Sequence, residues 1–144
     1  MSADESRDLH AGPARGLPPQ TGLTTGAAVF TDAYGVIPRA TMRDIVASYL
    51  QGWTGMRMLI LARPLAGFAE TFSQYVVDLA PGGGSQRPET DETAQGALFV
   101  TRGEIEIVVA GRASRLAAGG FAYVPPGAAW SLRNPGAGEA EFHW

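Results

Sequence analysis

GGFAYVPPGAAWSLRN, Gly119 to Asn134, decides the fold. Phe121 to Val124 mixes aromatic and β-branched residues, Trp130 to Leu132 alternates large apolar with small polar, and both suit a pleated, half-buried surface. Between them Pro125 and Gly127 continue neither run, because proline lacks a ladder donor and glycine favours the turn. The segment reads as strand, tight turn, strand.

Working outward, the same grammar repeats. ALFVT (97–101), Arg102-Gly103 and EIEIVVA (104–110) predict a hairpin. Its alternation sets Ile105 and Ile107 on one face and Glu104 and Glu106 on the other. Gly111-Arg112 turns again, and ASRLA (113–117) and AEFHW (140–144) add short strands. Upstream, MRMLILAR (56–63) is a nearly continuous apolar run, and ETFSQYVVDLA (70–80) alternates. PGGGSQRP (81–88) reads as a breaker cluster, with Gly82 to Gly84 a flexible strand connection. Short strands at regular spacing, punctuated by glycine and proline, predict an all-β sandwich or barrel rather than a parallel α/β sheet.

The front of the chain differs. Ala27 to Phe30 is a short apolar run before the turn-like TDAYG. Thr41 to Gln51 suits both a helix turn capped by Thr41 and a strand, and reads as one helical turn or irregular structure. Residues 1–25, rich in glycine and proline, predict an irregular N-terminal arm, leaving 26–144 as one β domain. The arm is either a loose tail or a strap for a neighbouring subunit or domain. The chain stops on Phe142-His143-Trp144, inside an apolar run, which predicts that a longer parent protein continues beyond it.

Composition excludes several classes. The 144 residues carry a net charge of -3, which predicts no nucleic-acid partner. No run approaches the roughly 18 apolar residues of a membrane span, and MSADESRDLH is unlike a secretory signal, so the expected location is the cytoplasm. The chain has no cysteine, hence no disulfide, thiolate metal site or thiol nucleophile. All eleven basic residues are arginine, so neither a Schiff-base lysine nor a P-loop can form. The two histidines, His10 and His143, cannot assemble a His-rich metal centre.

Gly119, Pro125, Gly127 and Asn134 stand at the spacing G(x)5PxG(x)2H(x)3N, so the chain resembles the cupins, single jelly-roll barrels also described as double-stranded β-helices. Trp130 occupies the histidine position. In the partner motif, G(x)5HxH(x)3,4E(x)6G, Gly103 is the closing glycine. Counting back places the glutamate on Gly96 and the histidine pair on Glu89 and Asp91, or on Thr90 and Glu92, with Gly83 or Gly84 opening. None of the four ligand positions carries its expected residue. The chain resembles more narrowly the N-terminal half of the ureidoglycine aminohydrolase family, two-cupin enzymes of allantoin breakdown. The segments GLPPQTGLTTGAAVFTDAYGVIPR, WTGMRMLILARPLAGFAETFSQYVVDLAPGGGSQRPE, GALFVTRGEIEI and GGFAYVPPGAAWSLRN carry that resemblance. It implies hydrolysis of ureidoglycine to ureidoglycolate and ammonia. It implies a manganese ion held only by a C-terminal cupin, which lies beyond this sequence. No catalytic residue is therefore assigned, and this chain alone is expected to hold no metal and turn over no substrate.

The residues allow only modest chemistry. Glu89, Asp91 and Glu92 could suit a hard cation, but their polar run reads as a solvated loop. Trp130 in a small barrel would replace a ligand with apolar volume. Tyr75, Phe99, Tyr123 and Trp130 are the candidates to line a pocket for a small planar ligand, were the interior open. Arg63, Glu70 and Arg133 adjoin apolar strands and read as strand-end or surface charges before pocket groups. The expected partners are the C-terminal cupin of the same enzyme and further copies in a homo-oligomer. A stand-alone ligand-binding cupin and a dimerisation module are the alternatives.

Overall fold

The computed structural model describes residues 28–31, 34–38, 50–64 and 71–144, and these form strands and connections only. The arm at 1–25, positions 41–49 of the segment read over 41–51 as a helical turn or irregular structure, and Glu70 lie outside the described residues, while Leu50 and Gln51 are in no helix. A two-stranded ribbon comes first, β1 (Val29–Phe30) against β2 (Gly35–Val36). Its turn is held by the Thr31 amide on the Tyr34 carbonyl at 2.8 Å.

Eight further strands make the barrel: β3 (Trp53–Ala62), β4 (Gln74–Ser85), β5 (Gly96–Arg102), β6 (Glu104–Val109), β7 (Arg112–Ala117), β8 (Phe121–Val124), β9 (Trp130–Arg133) and β10 (Ala140–His143). The ladder runs β7-β6-β9-β4-β10-β5-β8, with β3 alongside β4, and every pairing is antiparallel. It bends at β4. Val76 to Leu79 pair with β10 in one layer, whereas Gly84 and Ser85 pair with β9 in the other. The fold is the expected all-β cupin barrel. No helix of the described residues is long and apolar enough to cross a membrane.

Two local expectations fail, both at glycines. The Pro81–Ser85 stretch is no breaker but the second half of β4. Its glycines let backbones approach where a side chain could not: a Cβ on Gly83 would sit 2.8 Å from the Thr54 carbonyl oxygen, and one on Gly84 2.8 Å from Arg133 Cα. Backbone bonds from the Gly82 amide to the Asn134 carbonyl (3.0 Å) and from the Asn134 amide to the Gly83 carbonyl (2.8 Å) fix this bend. Second, β5 and β6 form no hairpin. β5 pairs with β8 and β10, β6 with β7 and β9. Gly103, at φ 72°, carries the chain from one layer to the other, past a Glu139 carbonyl that would meet a Cβ at 2.6 Å. The true hairpin is β6–β7, closed by Ala110 and Gly111 at φ 48° and 79°, the positive pair of a type I′ turn. Likewise β8 and β9 lie in opposite layers, and the Pro-Gly turn between them is a corner.

Alternation fills the interior. Leu98, Val100, Ile105, Ile107, Leu132 and Phe142 all point inward and are at most 2% exposed. Each such side chain contributes about 1.5–3 kcal/mol relative to exposure. Asn134 and Ser85 are the buried polar residues among those described, and Asn134 is the deeper. Its Nδ2 donates to the carbonyls of Leu79 (2.9 Å) and Gly138 (2.8 Å), and its Oδ1 accepts from the Gly136 amide (2.9 Å). The asparagine thus ties the β9–β10 connection to β4, and no buried side-chain polar atom among the described residues lacks a partner.

Candidate functional site

The mouth of the barrel holds a cavity of about 400 Å³. Glu89 and Asp91 reach it from the loop after β4, Gly96 from the start of β5 and Trp130 from the start of β9. The four positions counted from the two motifs therefore meet in one place. Two residues that the sequence reading passed over, Arg87 and Trp144, line it too. Trp144 shares the parity of Ala140 and Phe142, both wholly buried, and that parity is the signal that marks it as inward-facing.

Aromatic rings build the floor. Trp130, 9% exposed, meets Trp144 edge-on, with centroids 5.7 Å apart at 72°. Trp144 also contacts Trp53 (5.7 Å) and Tyr75 (5.5 Å). Paired backbone bonds between Tyr75 and Trp144, at 2.7 and 3.0 Å, fix the last residue against β4. The Trp53 indole donates to the Pro88 carbonyl at 3.2 Å and so anchors the loop that carries Glu89 and Asp91. Gly96 gives Trp144 its room: a Cβ there would lie 3.3 Å from the Trp144 indole nitrogen. A glutamate at 96 would compete with that ring for the same space.

The rim is polar and committed to its own loop. Glu89 Oε1 accepts from the amides of Thr90 (2.7 Å) and Asp91 (2.9 Å). Asp91 Oδ1 accepts from the Thr93 amide (2.8 Å) and hydroxyl (2.6 Å), and the hydroxyl bond above all holds the Asp91 carboxyl below its ordinary value. Arg87 and Glu92 form an exposed ion pair at 3.7 Å. Indole and glycine supply no metal-ligating atom, and among the described residues no three His, Cys, Asp or Glu side chains are placed to hold an ion. The donors at these positions do not fit a metal. They leave an aromatic floor under a rim whose polar groups bond within their own loop.

The four aromatic candidates are not brought together. Tyr75 and Trp130 turn inward, but Phe99 (47% exposed) and Tyr123 (52% exposed) face out. Their neighbours Leu98, Val100 and Val124 take the inward positions, and alternation leaves no other choice. Tyr123 donates its hydroxyl to the Gln95 side chain at 2.8 Å. Arg63 is exposed just past β3. Arg133 binds Glu106 at 2.8 Å on the barrel's outside. Each holds the other charged: the Arg133 hydrogen bond pulls the Glu106 carboxyl down, and Glu106 pushes the guanidinium up.

Comparison with known proteins agrees with this architecture. The cupin-domain family model matches residues 75–144. The (S)-ureidoglycine aminohydrolase of Escherichia coli K12 is 28% identical over 109 residues, 76% of this chain and 41% of that enzyme. Among solved structures, a Pseudomonas aeruginosa protein described as glyoxylate-induced is 52% identical, with a TM-score of 0.74 over 81% of this chain and 44% of that one. Protein Ylba of E. coli superposes with a TM-score of 0.73 at 24% identity, a likeness of fold alone, over 88% of this chain and 50% of its own. The chain thus spans half the length, or less, of each of these relatives. Residues 75–144 match a cupin domain, and the described chain has the cupin fold, a single barrel of two antiparallel layers.

Proposed function

We propose that this chain is the N-terminal, metal-free cupin of an enzyme like ureidoglycine aminohydrolase, and that it acts as the scaffold for a metal-bearing cupin. The observation that carries the reading is the mouth of the barrel. Trp130 and Trp144 put ring carbon where ligating atoms would converge, in a chain similar over 109 residues to part of that hydrolase. A barrel packed this way gives rigidity and surface rather than chemistry. Hydrolysis with loss of ammonia would then depend on manganese bound by the other cupin, outside this sequence. The test is ammonia release from ureidoglycine with manganese present. The 144-residue chain is expected to release none alone. Ammonia formed by this chain unaided would overturn the assignment.

A second reading draws support from the 400 Å³ cavity, a volume within the range of small-molecule sites. In it the chain is a stand-alone binder of a planar ligand. A ligand-dependent rise in melting temperature distinguishes this from the scaffold, since only a bound ligand stabilises by mass action.

A further inference from the structure

All three tryptophans of the chain join in one contact series at the barrel mouth: Trp53 meets Trp144, and Trp144 meets Trp130, each pair with centroids 5.7 Å apart. Trp130 and Trp144 both line the 400 Å³ cavity, and at 72° they form a corner rather than a stack. Crossed indoles are the walls of the aromatic cages that hold organic cations, and indole is the ring that attracts a cation best. The floor is otherwise aliphatic, from Val124, Pro125 and Ala128, and none of these side chains carries a hydrogen-bond acceptor.

Charge above that floor runs one way. Glu89, Asp91 and Glu92 line the cavity with a single cation among the described residues, Arg87. Arg87 and Glu92 offset each other at 3.7 Å. The bonds that Glu89 Oε1 and Asp91 Oδ1 accept come from backbone amides and the Thr93 hydroxyl, which are neutral, so they hold the two carboxylates in place without cancelling their charge. Thr93 also keeps the Asp91 carboxyl below its ordinary value, and it stays ionised at neutral pH.

We infer that the barrel mouth binds a small alkylated ammonium ion, with its alkyl groups against Trp130 and Trp144 and its charge under Glu89 and Asp91. A bare ammonium fits poorly, because its three N–H donors would meet no side-chain acceptor on the floor. An anion fits poorly too, because it would face three carboxylates for one guanidinium. The inference rests on the reading of the chain as a ligand binder and names the chemistry of the ligand; the scaffold reading stands or falls separately.

Tryptophan fluorescence reports on the site directly, since the chain has no indole elsewhere. The probe is choline, titrated into the 144-residue chain beside dimethylbutanol, the uncharged isostere in which carbon replaces nitrogen. Choline is expected to change the emission saturably and to bind about tenfold more tightly than the alcohol. By calorimetric titration, Trp130→Leu, which keeps apolar volume without a ring, is expected to weaken choline about tenfold. Glu89→Gln and Asp91→Asn are expected to weaken it about two- to fivefold each, as loss of an exposed charge partner does. These two are isosteric substitutions in a surface loop, so they test the charge even where Trp130→Leu fails to fold. Arg87→Gln is expected to tighten binding, and Glu139→Gln, which removes a carboxylate away from the mouth, to change nothing. Equal affinity for choline and the alcohol overturns the inference and keeps the binder of neutral ligands. No response to either overturns both. Choline binding undiminished in the Glu89→Gln, Asp91→Asn double variant overturns the inference as well.

Discussion

Across β7, β6 and β9 the outward side chains in register are Arg115, Glu106 and Arg133; across β10, β5 and β8 they are His143, Phe99 and Phe121. Arg115 and Arg133 sit 3.6 Å and 2.8 Å from Glu106, a charged ladder with solvent on its far side. The aromatic row has no such charges at its centre. Yet the inward partners of both rows, Ile105, Ile107, Leu132, Leu98, Val100 and Phe142, are alike. The interior constrains every strand to one chemistry, because all must fill the same volume. The outside is constrained only by what touches it. A difference between two outer faces is therefore information about neighbours rather than about folding.

That comparison can be broken most forcefully from the inside. Phe142→Ala should lower unfolding free energy by about 3–5 kcal/mol, while Phe121→Ala in the monomer should stay within about 0.5 kcal/mol. Urea denaturation at low protein concentration measures both, and similar losses would mean that the outer row is part of the core. A smaller effect is expected at the hairpin of the charged layer. Ala110 holds φ 48° without being glycine, so Ala110→Asn should stabilise by about 0.5–1 kcal/mol, read as a raised urea midpoint with unchanged slope. The smallest effect concerns acid. Arg133 lowers the Glu106 carboxyl from its ordinary 4.5, so folding favours its charged form. Its contribution is complete above that value and disappears as pH falls through the lower folded one. Glu106→Gln should flatten the acid side of the stability profile, whereas substitutions at Phe99 or Phe121 should leave its shape alone.

Much of the barrel is legible in the sequence where alternation is strict. EIEIVV declares its faces, and Ile105 and Ile107 lie inside as that pattern demands. Legibility fails where glycine carries the meaning. Gly82 to Gly84 look like a loop because they lack side chains, but at Gly83 and Gly84 that lack is what lets β4 pass between Thr54 and Leu132. Gly103 looks like a hairpin turn, but its positive φ leads the chain across layers, a distinction set by partners remote in sequence. At the mouth, motif spacing locates Glu89, Asp91, Gly96 and Trp130 around one cavity. Aromatic character alone misplaces Phe99 and Tyr123. Counting parity from the buried Leu98 and Val124 puts both outside, and the same count brings Trp144 in.

The twelve-residue strand β4 belongs to both layers at once, bonded to β10 at one end, to β9 at the other and to β3 along most of its length. A sandwich of independent sheets can slide or gape between them. Here any gaping must tear a single ribbon of backbone whose glycine bend is clamped by Asn134. The shell accordingly resists opening between its layers and keeps its outline under load.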